Sequence, residues 1–250
     1  MKKIILILLL LVPFLVNSQS SCIKAKLGAG IPLGKFGVVD DEKAANAKIG
    51  INLDLSAEHK FSDYFGVKGS FSFNLNPRDK DKLMDFYREL KPYMTWQDDI
   101  GGYTVSSFLV GLVGTIPTDN ILSIDFYGMV GYSFINDQGS IINGSDWITL
   151  AYYNTETEAA NAGGLGYMIG TDLLFEVSER ISLLFGINYF GTKAEFKDVK
   201  WSMEDSDMGN IPLTADIDYE YDISILNADV GVKVLLGKIK KKRRRGSRRR

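Results

Sequence analysis

The side chains that could support catalysis are few in this sequence. His59 is its single histidine and lies beside the pair Ser62-Asp63, so it is the only imidazole available as a general base for a serine nucleophile. A lone histidine at the end of an apolar segment is more often an interfacial residue. We therefore predict no catalytic site.

Two stretches near the C-terminus carry carboxylates at close spacing, "MEDSDMGN" (203–210) and "DIDYEYD" (216–222). Alternate acidic residues share one face of an extended chain, and Ca²⁺ binds several oxygen ligands of this kind. The spacing of an EF-hand loop is absent. We predict a solvated acidic loop, with no metal and no cofactor.

The charged residues elsewhere follow a period of two. In "IGINLDLSAEHKF" (49–61) the apolar residues Ile51 and Leu53 alternate with polar ones such as Asp54 and Glu58. This period is typical of a β-strand with one apolar face and one polar face. A soluble β-protein would place Leu53 in its core, whereas a membrane barrel would turn it toward lipid.

The same pattern occurs in eight segments and predicts eight strands. They span 23–33, 48–61, 64–76, 104–116, 121–134, 164–177, 180–190 and 222–236. Most are longer than the roughly 5–6 residues common in soluble sheets, and they suit the roughly 9–11 residues of a tilted strand that crosses a bilayer.

The connections between these segments alternate strictly between short and long. The short ones are "SD", "PTDN" and "SE", and the long ones span 34–47, 77–103, 135–163 and 191–221. This asymmetry is characteristic of outer-membrane barrels. We predict an all-β fold, an eight-stranded antiparallel up-and-down transmembrane β-barrel with short periplasmic turns and long extracellular loops. A secreted lipocalin-like barrel or a sandwich is the alternative.

The polar face would then line the interior, which side chains fill in a barrel of this size. Buried charges must be paired, because an isolated one costs several kcal/mol. We predict a lumen network of six lysines and six acids. Its members are Lys24, Lys26, Lys48, Asp54, Glu58, Lys60, Lys68, Asp125, Asp172, Glu176, Asp229 and Lys233.

The two ends of the chain differ from this body. Residues 1–18 have the basic start and short apolar run of a signal peptide, with cleavage expected after Ser18. The barrel domain is expected over 19–237, and 238–250 forms a basic tail that we predict to be disordered in the periplasm. All 31 acidic residues lie between these ends. Secretion makes nucleic acid an unsuitable partner for the tail. Cys22 is the only cysteine, so no intrachain disulfide can form.

With its leader, eight alternating strands, three short turns and four long loops, the chain resembles the small eight-stranded outer-membrane barrels of the OmpA transmembrane-domain and OmpX type. The "SQ" at the expected processing site, Ser18-Gln19, resembles that of barrels from Bacteroidetes-type bacteria. The resemblance covers about residues 23–237. It implies an outer-membrane location and a surface or envelope role. The chain departs from the family's common aromatic ending, because "VKVLLG" closes the last strand.

The resemblance leaves three functions open. The first is a non-enzymatic barrel with a structural or surface-interaction role, acting through loop-mediated adhesion or partner binding. The second is a small porin-like channel for ions or small solutes. The third is an envelope enzyme acting on lipid A, which the single His59 disfavours.

Aromatic side chains concentrate in the long loops and are candidates for binding, because Trp and Tyr are typical hot spots. They are Trp96, Trp147, Tyr152, Tyr153 and Trp201. The segment "WITLAYY" (147–153) is predicted to extend the barrel strands as an edge for an added strand. A short amphipathic helix is predicted within 79–93, over the barrel mouth.

The expected partners follow from this placement. They are outer-membrane lipid or lipopolysaccharide around the barrel, an extracellular protein or surface ligand at the loops, and an anionic periplasmic group at the tail.

Overall fold

The computed structural model describes residues 21–37, 45–118, 121–209 and 211–236. The predicted signal peptide and the basic tail lie outside these ranges. Among the described residues, no helix has the length and apolar character that crossing a membrane requires.

In the described residues, eleven strands form one sheet, and one α-helix and two short 3-10 helices lie in the connections. The strands are β1 (Ser21–Pro32), β2 (Gly50–Lys60), β3 (Phe65–Asn76), β4 (Thr95–Ile100), β5 (Tyr103–Pro117), β6 (Leu122–Asp137), β7 (Ser140–Ser145), β8 (Tyr152–Thr157), β9 (Ala160–Glu176), β10 (Ile181–Asp205) and β11 (Leu213–Leu236). Helix α1 spans Lys80–Leu90, and the 3-10 helices span Gly34–Phe36 and Ser206–Met208.

Eight of the strands close into a ring in the order β1-β2-β3-β5-β6-β9-β10-β11, because β11 pairs with both β10 and β1. Every pairing in the ring is antiparallel, and Leu27 of β1 lies opposite Leu53 of β2 and Val230 of β11. The predicted eight-stranded antiparallel barrel is confirmed, and the closed ring leaves no free edge among the eight described strands that form it.

The remaining strands build an extension above the ring. The upper part of β10 pairs with β8, β8 pairs with β7, and β7 pairs with β4, whose other edge has no strand beside it in the described sheet. We refer to β4, β7, β8 and the paired upper ends of β10 and β11 as the extension. Strand β10 has 25 residues, more than twice the roughly 9–11 that a bilayer crossing requires.

The prediction that 191–221 forms a loop is therefore wrong. The acidic run 216–222 belongs to β11 and pairs with β10, with Asp216 opposite Lys200 and Glu220 opposite Glu195. Its alternating carboxylates are exposed on a paired strand, and the register of the ladder shifts between Phe196 and Val199 of β10. In the described part of the chain, no three or more His, Cys, Asp or Glu side chains are grouped as a metal site would require.

The outer surface of the ring is apolar, as the strand pattern predicts. Its exposed residues include Leu27, Ile51, Phe108, Val110, Leu112, Phe126, Ile169, Phe185, Ile187 and Val230. The interior is not uniformly polar, which corrects the expectation from sequence. Strands β1 to β3 contribute charged and amide side chains, whereas β5, β6, β9 and β10 also turn apolar residues inward. Those residues include Leu109, Val113, Met129, Met168, Leu174 and Leu184.

The extracellular mouth is closed by an apolar layer that belongs to the same buried cluster as Leu109, Val113, Met129 and Met168. Phe36 from the first long connection is fully buried there, and its ring lies 5.4 Å from the ring of Tyr103. Phe190, Phe196 and Ile225 belong to the same cluster. The barrel is thus filled by a cluster of charged groups and by an apolar cluster that continues to the mouth.

Candidate functional site

The charged part of the lumen is organised around Lys24. Its Nζ lies 2.6 Å from Oε1 of Glu58, 2.8 Å from Oδ2 of Asp125 and 3.0 Å from Oδ2 of Asp172. These four side chains come from four different strands and have no solvent access. The charges of such closely spaced buried ions are balanced only when all of them are present, because removal of one leaves an uncompensated charge in the interior.

Lys26 forms a second centre next to the first. Its Nζ lies 3.6 Å from Asp54, 3.5 Å from Asp172 and 3.7 Å from Asp229, and it donates a hydrogen bond to the hydroxyl of Tyr127. Gly170 makes room for that ring, because a Cβ atom there would lie 2.6 Å from the Tyr127 hydroxyl oxygen.

Three further lysines complete the cluster. Lys68 Nζ lies 3.6 Å from Asp172 and 3.6 Å from the centre of the Tyr127 ring, a cation–π arrangement. Lys60 and Lys233 approach Asp125 at 3.3 Å and 3.7 Å. Five lysines therefore meet five acids, and the cluster is neutral when all are ionised.

Two predicted members of the lumen network lie elsewhere. Lys48 precedes β2 on the extracellular side; its side chain is 45% exposed and its Nζ lies 2.9 Å from Asp79, the N-cap residue of α1. Glu176 ends β9 and is exposed at the periplasmic rim. Both have the inward parity of their strands, but they lie beyond the ends of the enclosed interior. The alternating pattern of a strand predicts which side chains point inward, but it does not predict how deep in the barrel each side chain lies.

A separate network closes the mouth above the charged cluster. Arg78 contacts both carboxylate oxygens of Asp137 at 2.8 and 2.9 Å and donates to the hydroxyl of Tyr103 at 2.6 Å. Tyr219 donates to the same Asp137, and Tyr103 donates to the carbonyl oxygen of Ala45. This network connects all four long connections, and the sequence patterns did not identify it.

His59 lies at the periplasmic end of β2 with its ring half-buried. Its Nδ1 is 3.2 Å from the Ser21 hydroxyl oxygen, and its ring is 5.2 Å from the ring of Phe61. These neighbours are those of an interfacial side chain.

The extension is held against α1 by aromatic packing. The Tyr87 ring of α1 lies 5.4 Å from Trp96 and 5.9 Å from Tyr153, and these two rings are 5.7 Å apart. Met84 and Ile142 are buried in the adjoining apolar cluster. Trp96 and Tyr153, predicted as binding residues, are therefore packing residues, because the apolar side of α1 covers them.

An ion pair joins the end of α1 to the connection between β10 and β11. Lys91 Nζ lies 2.6 Å from Asp205 and 2.8 Å from Asp207, and Tyr93 donates to Asp207 at 2.9 Å. Burial alone would lower the pKa of Lys91, but the hydrogen bonds from its ammonium to the two carboxylates outweigh it and raise that pKa. Hydrogen bonds from Lys91 and Tyr93 lower the pKa of Asp207.

The other predicted binding residues are accessible. Trp147 is 83% exposed at the connection between β7 and β8, and Tyr152 is partly exposed at the start of β8. Trp201 lines a cleft of about 420 Å³ with Glu156, Glu158 and Asp216.

Comparison with known proteins assigns this architecture to a family. The family described as "Outer membrane protein beta-barrel domain" matches residues 4–233 of the chain. The chain belongs to this outer-membrane β-barrel family. Its proteins reside in the outer membrane, so the apolar outer surface of the ring faces lipid.

The chain is also similar to several solved outer-membrane barrels. The attachment invasion locus protein Ail of Yersinia pestis is 12% identical, with 86% of this chain and 99% of that chain covered and a TM-score of 0.41. A major outer membrane protein from Thermus thermophilus is 12% identical over 86% and 98% of the two chains, with a TM-score of 0.45. OprG of Pseudomonas aeruginosa is 14% identical over 86% and 96%, with a TM-score of 0.39. No match was found among curated proteins.

Within this outer-membrane barrel, the lumen and the extension differ in what they can do. The lumen cluster is enclosed, neutral and covered by the Phe36 layer, which suits a structural role. Above the ring, the extension carries exposed aromatic and apolar groups, among them Trp147, Ile148 and Leu150. The site with access to ligands is therefore the extension.

Proposed function

We propose that this outer-membrane barrel is a non-enzymatic surface-interaction protein that binds a partner through its extracellular extension. The observation that supports it most strongly is the contrast between a filled interior and an ordered, protruding extension. An open β4 edge and the exposed Trp147 lie on that extension, and both are typical of recognition surfaces.

The porin-like alternative has less support. A solute would have to displace the Phe36 layer and then pass a cluster of ten paired charges. The lipid A enzyme alternative is disfavoured by the position of His59, whose hydrogen-bond partner is Ser21 at the periplasmic end.

Further parts of this proposal concern the surroundings. The outer face of the ring contacts outer-membrane lipid and the lipid portion of lipopolysaccharide. The cleaved leader, the basic tail with its anionic periplasmic partner, and the Bacteroidetes-type origin remain predictions from sequence.

A retention assay tests the proposed function. Cells that display the full chain are washed over surfaces coated with protein, glycan or phospholipid. The comparison is cells that display a barrel in which β4, β7, β8 and the upper ends of β10 and β11 are replaced by short turns. We expect retention by the full chain on at least one coat and its loss in the comparison. Equal retention of both strains on every coat would contradict the proposal.

A further inference from the structure

The two hairpin ends at the top of the extension carry an unusual set of exposed side chains. The first, between β7 and β8, exposes Trp147 together with Ile148 and Leu150, which are 92% and 80% exposed. The second, between β10 and β11, exposes Met208, Ile211 and Leu213. We call these six residues the paired tips.

The two ends are adjacent in space. The backbone N–H of Tyr152 donates to the Ser206 hydroxyl oxygen at 3.0 Å, and Tyr153 lies opposite Asp205 in the β8–β10 ladder. The six apolar side chains therefore belong to one region at the far end of the extension. Single exposed apolar residues are common on proteins, but a group of this kind marks an interaction site.

The first tip has a fixed backbone. Asp146 accepts hydrogen bonds from the N–H of Ile148 at 3.0 Å and from the Thr149 hydroxyl, and its own N–H donates to the Ala151 carbonyl oxygen. Leu150 has a φ of 58°, a left-handed conformation that is unfavourable for a residue with a Cβ atom. The connection thus holds its apolar side chains outward, and little conformational entropy remains to be lost on binding.

The shape of the region favours a fluid apolar medium over a protein pocket. Two clefts of the extension lie lower, around Glu156 and Glu158, and no tip residue lines either of these two. A stable protein interface needs about 800 Å² of matched surface on each side. Six side chains on two protruding ends offer little matched surface, whereas a bilayer needs no complementary shape and accepts Trp and Leu at its boundary.

The charges around the tips restrict the kind of bilayer. Asp146, Glu204 and Asp207 flank them, and the nearby Lys91 is already paired with two carboxylates. An anionic membrane would be repelled by this surface. The tips also stand on strands far longer than a bilayer crossing, which places them away from the hydrocarbon of the protein's own membrane.

We propose that the paired tips insert into the headgroup boundary of a second, zwitterionic bilayer, such as the outer leaflet of an apposed membrane. The inference rests on the proposed function, because it names the class of partner that the extension binds.

Tryptophan quenching tests it directly. The full chain, with Trp96→Phe and Trp201→Phe so that Trp147 is the only indole, is held in nanodiscs and mixed with phosphatidylcholine vesicles that carry brominated acyl chains. We expect Trp147 emission to fall by about half and to shift to the blue. When only the nanodisc lipid carries bromine, the intensity of the Trp147 emission should not change. Quenching by the nanodisc lipid alone would overturn the inference, as would stronger binding to phosphatidylglycerol vesicles.

Matched variants of the otherwise unchanged chain complete the test. Ile148→Ser with Leu150→Ser should lower vesicle co-sedimentation about tenfold, whereas Phe86→Ser, an exposed aromatic residue of α1, should not change it. Equal loss in both variants would contradict a role for the tips. If the vesicles do not bind but cells are still retained on protein or glycan coats, the inference fails and the proposed function stands. If neither occurs, both fail.

Discussion

The Nζ of Lys24 lies 2.6 Å from Oε1 of Glu58 inside a closed ring of strands, and neither side chain is accessible to solvent. The pair is compensated by the rest of the cluster, four more lysines and four more acids, of which Asp125 and Asp172 contact Lys24 directly. A neutral cluster of this density fills the interior and ties together strands that are distant in sequence. It explains why the polar faces of the strands carry equal numbers of opposite charges.

Removal of the central cation should destabilise the barrel strongly. Lys24→Met leaves Glu58, Asp125 and Asp172 with too little positive charge, and we expect a loss of about 3–5 kcal/mol. Urea unfolding in phospholipid vesicles measures it. Lys48→Met, whose partner Asp79 is at the extracellular surface, is the control and should change stability little. Equal effects of the two substitutions would argue against the cluster.

A charge on the outer face of the ring should also be costly. Leu53 lies opposite Leu27 and Phe73 on the outward side of β2, so Leu53→Arg places a cation in hydrocarbon. We expect about 2–4 kcal/mol of destabilisation if the residue is near the midplane. Heat-modifiable gel migration after folding into vesicles reports it, with Thr95→Arg on exposed β4 as the control. Efficient folding of Leu53→Arg would mean that this face does not contact lipid.

The ion pair at Lys91 should make the extension sensitive to pH. The pKa of Asp207 is lowered in the folded protein, so its contribution to stability is present above its unfolded pKa and is lost as the pH falls through the folded value. The pKa of Lys91 is raised, so its contribution is complete below its unfolded pKa and is lost as the pH rises above the folded value. The protection of the amides in 205–209, measured against the intrinsic exchange rate at each pH, should therefore fall in acid and in strong base. Asp207→Asn should weaken the acid-dependent change, and an unaltered profile would show that the pair does not hold the extension.

The apolar layer at the mouth makes a separate contribution. Phe36→Ala removes a fully buried ring that packs on Tyr103, and we expect a loss of about 3–5 kcal/mol. The charged cluster below should remain intact, so the variant should fold and stay impermeable. Thermal unfolding in vesicles measures the loss. A large gain in solute flux would show that Phe36 alone seals the barrel.

The barrel was predictable from sequence because its signals are local. The period of two and the alternation of short and long connections give strand number, pairing and the direction of each side chain, so Lys24, Asp54 and Asp172 were placed correctly on the inner face. Depth along the barrel is not encoded in that period, which is why Lys48 and Glu176 were misplaced.

The extension could not be predicted in the same way, because its contacts join distant parts of the chain. Lys91 and Asp205 are 114 residues apart, and no local pattern indicates that they meet. Trp96 and Tyr153 are packing residues because α1 covers them, and Trp147 is exposed because no element covers it among the described residues. All three lie in predicted loops, so the sequence does not distinguish them. The long hairpin of β10 and β11 was also missed, since its outer face is acidic where membrane strands are apolar.

Conductance through planar bilayers is the most direct test of the central claim that this barrel is sealed and acts from its outer surface. Purified full chain is inserted into the bilayer, and ion current is recorded at fixed voltage, with a large-pore porin as the positive control. We predict no current steps above the lipid background, because paired charges and the Phe36 layer fill the interior. Reproducible steps with a defined ion selectivity, altered by Lys68→Met, would contradict it and favour a small channel.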